Sequence, residues 1–133
     1  MINLDISKAY DMVDWDFLCK IMELFGFLGQ FVKWIRTSVS TAMFSVIING
    51  GMEGYFSSNR GMRQGDSISP YLFTLVMEVH SGILRKVQAD NGFIFHPKFA
   101  KISLTHLMFA DDVIIFAKAN LESLAKIKAE IIL

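Results

Sequence analysis

The sequence predicts an α/β (α+β) domain in which helices pack against a small antiparallel sheet. Three observations predict this fold class. Apolar residues recur every three or four positions from Leu72 to Val87, which is the period of a long amphipathic helix. Two β-forming runs flank the adjacent acids Asp111 and Asp112, and this pattern predicts a hairpin. A short apolar run, Ile2 to Leu4, ends at another acid, Asp5, and predicts one more strand.

Length and charge restrict the function classes. The 133 residues are 53% hydrophobic, which is enough for the core of one domain or of a piece of one. The 13 basic and 13 acidic residues balance, which excludes a global basic field that attracts phosphate backbones, so any nucleic-acid contact must be local. The mean hydropathy of +0.41 is high for so small a domain. We therefore expect part of the apolar surface to meet partner segments outside this chain.

The single cysteine, Cys19, excludes an internal disulfide and is expected to be a small buried hydrophobe rather than a nucleophile. This cysteine usage fits a reducing, intracellular compartment, either nucleus or cytoplasm. No run reaches the roughly 18 uninterrupted apolar residues that a membrane span needs. No secretory signal or other targeting segment is visible at the start of the sequence. We expect no membrane partner.

The first half of the chain predicts two helices and a hairpin. Asp14 can cap a helix that stops at Gly26, and a second helix is expected from Gln30 to Ser38. The β-forming run from Met43 to Asn49 enters an Asn-Gly-Gly turn, and a return strand is expected around Tyr55. The residues expected on the apolar stripes are Phe17, Leu18, Ile21, Met22 and Phe25 in the first helix and Phe31, Trp34 and Ile35 in the second.

The second half predicts the long helix and the acid-bearing hairpin. Ser69 is placed to cap the helix, and Pro70 would be its first residue. After a short strand at Gly92 to Phe95, a strand from Ile102 to Phe109 leads into the acids and Val113 to Ala117 returns. A terminal helix capped by Asn120 would direct inward Leu121, Leu124, Ala125, Ile131 and Ile132.

The three histidines are expected to be structural. His80 lies on the apolar stripe of the long helix, which favours a packed core residue over a catalytic base. His96 and His106 lack the clustered ligand spacing of a zinc site, and no second cysteine supports one.

The adjacent acids Asp111 and Asp112 need compensation wherever they leave water. Two carboxylates about 4 Å apart repel by roughly 4 kcal/mol at an effective dielectric of 20, so a proton or a cation should accompany them. Taken alone, the pair also fits a polar turn whose acids face solvent. Asp5 at another strand end favours a shared site if the strands are neighbours. Mg²⁺ prefers such oxygen ligands, and two ions about 3.5–4 Å apart can clamp a phosphoryl displacement.

The loop from Arg60 to Asp66 combines two glycines with two arginines and has no hydrophobic period. Its backbone amides could approach a phosphate or a base, with Arg63 available to a phosphate or template and Gln64 able to donate and accept hydrogen bonds. Glycine-rich turns are common, so the loop also fits an ordinary connection.

Three stretches occur together and in order, and they resemble motifs A, B and C of reverse transcriptases. The stretches are Leu4-Asp5-Ile6-Ser7-Lys8-Ala9-Tyr10-Asp11, Arg60-Gly61-Met62-Arg63-Gln64-Gly65-Asp66-Ser67-Ile68-Ser69-Pro70 and Leu107-Met108-Phe109-Ala110-Asp111-Asp112. The chain is most similar to the polymerase of plant LINE-type (non-LTR) retrotransposons, and the resemblance covers nearly all of it. It implies a polymerase palm, a small antiparallel sheet with helices packed on one face.

The resemblance implies a role for each matching position. The acids Asp5, Asp111 and Asp112 would be catalytic and would bind metal, with Asp5 and Asp111 as the main ligands. Tyr10 would stack under the deoxyribose and obstruct a 2′-hydroxyl, although its place after a strand also fits a buried aromatic residue. The other nucleotide-binding positions would be Ile6, Ser7, Lys8 and Ala9 beside the triphosphate, and Gln64 and Gly65 in the pocket and on the template side.

The implied function is RNA-directed DNA synthesis, by two-metal transfer of a nucleotide from a dNTP to a DNA primer on an RNA template. The cofactor would be two Mg²⁺ ions, with Mn²⁺ as a substitute. Residues 1–133 would be a partial reverse transcriptase domain that lacks the fingers segment and the thumb, so we expect this chain alone to extend a primer poorly or not at all. Ser67-Ile68 in place of the usual Pro-Leu, and His80 and Gly82 in place of the usual Leu and Arg, depart from the family without touching the acids.

Two other functions remain open from the residues. The chain could be an inactive, truncated remnant of a mobile element that acts only as an interaction surface. It could also be a carboxylate-dependent nuclease or phosphatase, although Tyr10 and the Gln64-Gly65 loop would then have no obvious purpose.

Overall fold

The computed structural model describes residues 1–6, 8–89, 94–118, 120, 121, 123, 125, 127 and 128. The chain divides into two compact units, the sheet unit (Met1–Ser7 and Met77–Leu133) and the cleft unit (Lys8–Val76). In chain order the elements are β1 (Ile2–Asp5), α1 (Ala9–Met12), α2 (Trp15–Leu24), α3 (Gly29–Ser40), β2 (Met43–Ile48), β3 (Gly51–Ser57), α4 (Ser69–Ala89), a 3₁₀ turn (Ala100–Ile102), β4 (His106–Phe109) and β5 (Asp112–Ile115). No helix in the described residues is long and apolar enough to cross a membrane.

The sheet unit contains a three-stranded antiparallel sheet in the order β1-β5-β4, which confirms the predicted fold class. Because side chains alternate along a strand, one face carries apolar residues such as Leu4, Val113 and Ile115, and Val113 and Ile115 are buried. The opposite face is more exposed and carries Asp5 and Asp112. The alternation places the acids on the open face and the core on the other.

His106 links this sheet to α4, which fits the structural role expected from the sequence. Its Nε2 lies 2.8 Å from the Ser81 hydroxyl, and its Nδ1 lies 2.8 Å from the Thr105 hydroxyl. Burial lowers the pKa of His106, the Arg85 guanidinium lowers it further, and Glu78 opposes the shift. The neutral imidazole is therefore the form that the folded sheet unit favours.

This environment predicts acid lability. Because the folded pKa of His106 lies below the unfolded value, its contribution to stability is fully present above about pH 6.5 and is lost as the pH falls below that value. The free energy of unfolding, measured with urea, should therefore fall less between pH 7.5 and pH 5 for His106→Gln than for the wild type. Equal losses in the two proteins would contradict this account.

Two helices of the cleft unit begin near their predicted positions. The Asp14 carboxylate accepts a hydrogen bond from the Phe17 amide at 2.8 Å, as expected of an N-cap, and Gly26 follows the helix with a φ of 83°. Leu18, Ile21 and Met22 of α2 are buried, but Phe17 and Phe25 from the predicted stripe are exposed. Cys19, expected to be buried, is only partly so.

The predicted face of α3 was wrong in one residue. Trp34 is 62% exposed, whereas Val32 and Ile35 are buried. Val32 and Ile35 are three positions apart and share a face, and α3 packs against α2. Trp34 is offset from that face.

The predicted hairpin of the cleft unit is confirmed. Strands β2 and β3 pair antiparallel around Asn49 and Gly50, whose φ values of 51° and 84° are those of a two-residue turn suited to the strand twist. Nearly all of its residues are exposed, among them Ile47 and Tyr55.

Helix α4 also begins where expected, but Ser69 is bonded differently. Its hydroxyl donates to the Arg63 carbonyl at 2.8 Å, so the side chain ties the preceding loop to the helix start. The predicted apolar stripe is present: Leu72, Phe73, Met77 and Leu84 are buried. His80 is partly buried on that stripe.

The strand predicted from Ile102 to Phe109 is shorter, because a 3₁₀ turn and a left-handed Ser103 (φ 51°) interrupt the extended chain before β4. Leu121 and Ala125 are exposed, contrary to prediction, while Ser123 and Ile127 are buried. Ser123 accepts a hydrogen bond from the Ile94 amide at 3.2 Å, which explains a polar residue in that position. The predictions for Val87, Gly92, Leu124, Ile131 and Ile132 fall outside the residues or side chains described.

Candidate active site

The sheet brings two of the predicted acids together directly. Asp5 ends β1 and Asp112 begins β5, and the register makes them partners across the strands. The Ile6 amide donates to the Asp111 carbonyl at 3.3 Å, one residue beyond this pair. In an antiparallel ladder that bond flanks a non-hydrogen-bonded pair, whose Cα atoms are about 4.5 Å apart and whose side chains are closest. Both carboxylates therefore leave the same face side by side.

Asp111 occupies the second position of a two-residue loop. The loop follows Phe109, which pairs with Asp112, and starts at Ala110, whose φ of 51° reverses the chain. Asp111 is exposed and directly precedes Asp112 in sequence. The register thus places Asp112, rather than Asp111, opposite Asp5.

The electrostatics of this acid face favour a cation. Like charges placed opposite each other in a sheet are destabilising. The ion pairs formed among the described residues are Arg36–Asp16 and Arg85–Glu78, so within that part of the chain no basic side chain neutralises Asp5 or Asp112. Both acids are exposed, which leaves them open to an ion from solvent.

The carboxylates of this face provide part of the ligand set of a hard divalent ion. No group of three or more acid, histidine or cysteine side chains forms a ready-made metal cage in the described ranges. Mg²⁺ does not need one, because it is usually bound by one or two carboxylates and completes its shell with waters and substrate phosphates. Asp5 and Asp112 supply that number, and Asp111 precedes Asp112 in the chain.

The acid face also carries apolar residues that the sequence did not single out. Phe109 is 83% exposed and shares the face with Asp112, and Leu107 is exposed two residues earlier. The signal was available in the alternation of β4, which puts every second residue on the face of the acids.

The predicted triphosphate segment is divided between the two units. Ile6 is partly buried in the sheet unit, and Ser7 lies outside the described residues. Lys8 is exposed with a left-handed φ of 55°, and its carbonyl accepts from the Asp11 amide at 2.9 Å. Ala9 is buried at the start of α1.

Tyr10 lies half-buried in the cleft unit. Its ring stacks on Phe73 with centroids 4.6 Å apart and planes 17° from parallel. This contact fixes one face of the ring and is compatible with both roles considered from the sequence, a packed aromatic and a support for a sugar.

The Arg60–Asp66 loop is held by its backbone. The Gly61 amide donates to the Val13 carbonyl at 2.7 Å, and the Gly61 carbonyl accepts from the Trp15 indole at 2.6 Å. The Met62 amide donates to the Tyr10 carbonyl at 2.9 Å. The Trp15 side chain therefore anchors the loop.

The loop lines a cavity of about 750 Å³ within the cleft unit. It contributes Arg60, Met62, Arg63 and Gln64. Of these, Arg63 and Gln64 are the two that the sequence predicts as ligand contacts. Gly65 lies in the same turn with a φ of 88°. Sequence reasoning missed Phe44 and Asn59, which line the cavity from the hairpin side, because they belong to no motif.

Comparisons with known proteins identify the family of the chain. Residues 1–132 match the family model described as reverse transcriptase (RNA-dependent DNA polymerase). The chain is 32% identical over 117 residues to a transposon TX1 protein of Xenopus laevis, covering 88% of this chain and 9% of that protein. It is 29% identical over 119 residues to the Pol polyprotein of a type-2 retrotransposable element of Drosophila melanogaster, covering 90% and 11%. A mitochondrial protein of Arabidopsis thaliana is 46% identical over 68 residues, covering 50% and 55%.

The fold also has a solved neighbour. A structure of apo telomerase from Candida tropicalis, truncated from the C-terminal domain, superposes with a TM-score of 0.69 at 17% identity, covering 98% of this chain and 26% of that one. At that identity the likeness concerns the fold alone. The chain thus spans about half or less of each protein it resembles.

Proposed function

Because this chain belongs to the reverse transcriptase family, whose enzymes are nucleotidyltransferases, we propose that its acid face catalyses RNA-directed DNA synthesis. The substrates are a dNTP, a DNA primer and an RNA template. The parent protein is a retrotransposon polyprotein of the LINE (non-LTR) type, and the similarity to an Arabidopsis protein favours a plant element.

One observation carries the proposal. Asp5 and Asp112 oppose each other at the open face of the sheet, and no basic side chain in the described segments pairs with them. Neither packing in a core nor a structural ion pair would bring two carboxylates face to face, whereas binding of a divalent cation would. The solvent-facing turn considered from the sequence accounts for Asp111 and Asp112 but not for Asp5.

In this mechanism the chain's own residues bind and orient. Asp5, Asp111 and Asp112 would hold two Mg²⁺ ions, for which Mn²⁺ could substitute. When bound, these ions would favour deprotonation of the primer 3′-hydroxyl and would offset charge on the triphosphate. The primer oxygen bonds to the α-phosphorus, the bond to the pyrophosphate oxygen breaks, pyrophosphate departs, and the hydroxyl proton passes to solvent.

The remaining motif residues position the nucleotide. Tyr10, braced by Phe73, supports the deoxyribose and opposes a 2′-hydroxyl. Gln64 and Gly65 line the base and template side, Arg63 contacts a phosphate of the template, and the backbone from Ile6 to Ala9 approaches the triphosphate. Fingers and thumb segments of the parent polyprotein complete the grip on the template, so the chain alone should act slowly.

Primer extension tests the function. The purified chain at high concentration, an RNA template with an annealed DNA primer, the matching dNTP and Mg²⁺ should give a product one nucleotide longer. Omitting the template or adding EDTA should abolish the product. The matched control replaces the dNTP with the rNTP. We expect lower incorporation of the rNTP, because Tyr10 opposes its 2′-hydroxyl.

Two results would contradict the proposal. Absence of both extension and Mg²⁺-dependent thermal stabilisation would favour the inactive remnant. Release of mononucleotides from DNA without any dNTP would favour a carboxylate-dependent nuclease.

A further inference from the structure

The β2–β3 hairpin of the cleft unit is exposed on both of its faces. Within the described part of the chain β2 pairs with β3 alone, so this sheet has two strands and two open edges. A two-stranded hairpin is only marginally stable in water unless further strands or packing support it. Six of its large apolar or aromatic residues are more than half exposed: Met43, Ile47, Ile48, Met52, Tyr55 and Phe56. The hairpin therefore presents a surface that a further polypeptide strand would stabilise.

The two edges of the hairpin differ in how well they resist pairing with another strand. β3 carries the charge of Glu53, and Gly54 follows it with a left-handed φ of 68°. The register with β2 shifts at this point, as at a β-bulge. Charges and bulges blunt an exposed edge. The six residues of β2 include no charge, glycine or proline, so β2 is the edge that remains open to a further strand.

The charges of the hairpin favour a second copy of the chain over nucleic acid as the partner. Glu53 is the one charged residue of the two strands and their turn, so the hairpin offers no basic side chain to a phosphate. The whole chain has 13 basic and 13 acidic residues, so two copies do not repel each other through net charge. Two β2 strands side by side also place no like charges opposite each other.

We propose that β2 pairs antiparallel with β2 of a second copy of this chain, about a two-fold axis. The result is a four-stranded sheet in the order β3-β2-β2-β3. The N–H and C=O groups of β2 that point away from β3 then gain partners, and Ile47 and Ile48 gain cross-strand neighbours. Such an interface is isologous, because the same strand serves both copies. It uses none of the acids of the acid face and does not depend on the proposed function.

The open area of the hairpin predicts a weak dimer. A large side chain presents roughly 200 Å² when fully exposed, so the six exposed residues leave roughly 750 Å² open, close to the ~800 Å² that each partner contributes to a specific interface. Pairing along β2 covers only part of this area. We therefore expect a dissociation constant of roughly 1–100 µM, at the weak end for protein interfaces.

Sedimentation velocity tests for the dimer with the whole chain and without RNA, dNTP or metal. Between about 5 and about 500 µM protein, the average mass should rise from 15.1 kDa towards twice that value. A chain that stays monomeric over this range would overturn the inference.

Two matched variants locate the interface. Ile47 and Met52 are partners across the hairpin and are both 70% exposed, but Ile47 lies on β2 and Met52 on β3. Ile47→Lys should weaken dimerisation at least about 10-fold, because the two-fold axis brings two lysines together and lysine blunts an edge strand. Met52→Lys should weaken it less than about 3-fold, since that charge lies one strand away from the interface. Wild-type dimerisation of Ile47→Lys, or an equal loss in both variants, would overturn the assignment to β2.

Hydrogen exchange gives an answer that needs no substitution. In the dimer the β2 amides that point away from β3 gain hydrogen bonds, so they should exchange more slowly at about 500 µM than at about 5 µM protein. Peptides that cover β3 should exchange at the same rate at both concentrations. A dimer whose β2 amides show no dependence on concentration, or whose slowed amides all lie elsewhere in the chain, would overturn the inference.

Discussion

Asp5→Asn should reduce primer extension by at least about 100-fold without reducing folding stability. The carboxylate is one of two opposed across β1 and β5, and an amide is a much weaker ligand for a hard cation, so several kcal/mol of charge stabilisation are lost in the transition state. Removing one of two facing charges should raise the free energy of unfolding by about 0.2–1 kcal/mol. Single-nucleotide extension and urea unfolding measure the two effects.

Asp111→Asn and Asp112→Asn extend this test to the hairpin. Each variant should lose primer-extension activity. Thermal stabilisation by Mg²⁺ should fall in both of them and in Asp5→Asn. The matched control is Asp14→Asn, because asparagine caps a helix as well as aspartate does and Asp14 lies outside the acid face. An active Asp5→Asn enzyme, or a loss of activity in Asp14→Asn as large as in the three variants, would contradict the site assignment.

Gly61→Ala should lower the free energy of unfolding by about 3 kcal/mol. Gly61 has a φ of 92°, and a Cβ there would lie 2.9 Å from the Asp11 Cα and carbonyl oxygen, which are backbone atoms that cannot turn aside. Left-handed strain and overpacking each cost about 1–3 kcal/mol. The shift of the urea midpoint at constant slope measures the loss.

Substitutions at two other glycines distinguish backbone strain from overpacking. Gly65→Ala should cost only the backbone strain, because its φ is 88° but nothing lies within 4 Å of a Cβ. Gly82→Ala, inside α4 with open space around it, should stabilise by about 0.5–1 kcal/mol. A Gly61→Ala protein as stable as Gly65→Ala would show that the contact with Asp11 is easily relieved.

Local patterns predicted most of the elements. Asp14 followed by an apolar stripe predicted α2, and Asn49-Gly50 predicted the β2–β3 turn, because caps and tight turns depend on residues within a few positions. Errors arose where a distant partner decides burial. Trp34 is exposed because α3 turns Val32 and Ile35 toward α2, and Ser123 is buried beside the Ile94 amide, a bond between residues 29 apart.

By itself, the sequence determined the family and the fold class and predicted the acid set Asp5, Asp111 and Asp112, because motifs and strand alternation depend on residues that are neighbours in the chain. Only the tertiary structure decided that Asp112 stands opposite Asp5, since register between strands more than 100 residues apart depends on packing of the whole sheet. It likewise brought Phe44 and Asn59 to the cavity beside Gln64. Such residues share no local pattern, and only the folded chain places them together.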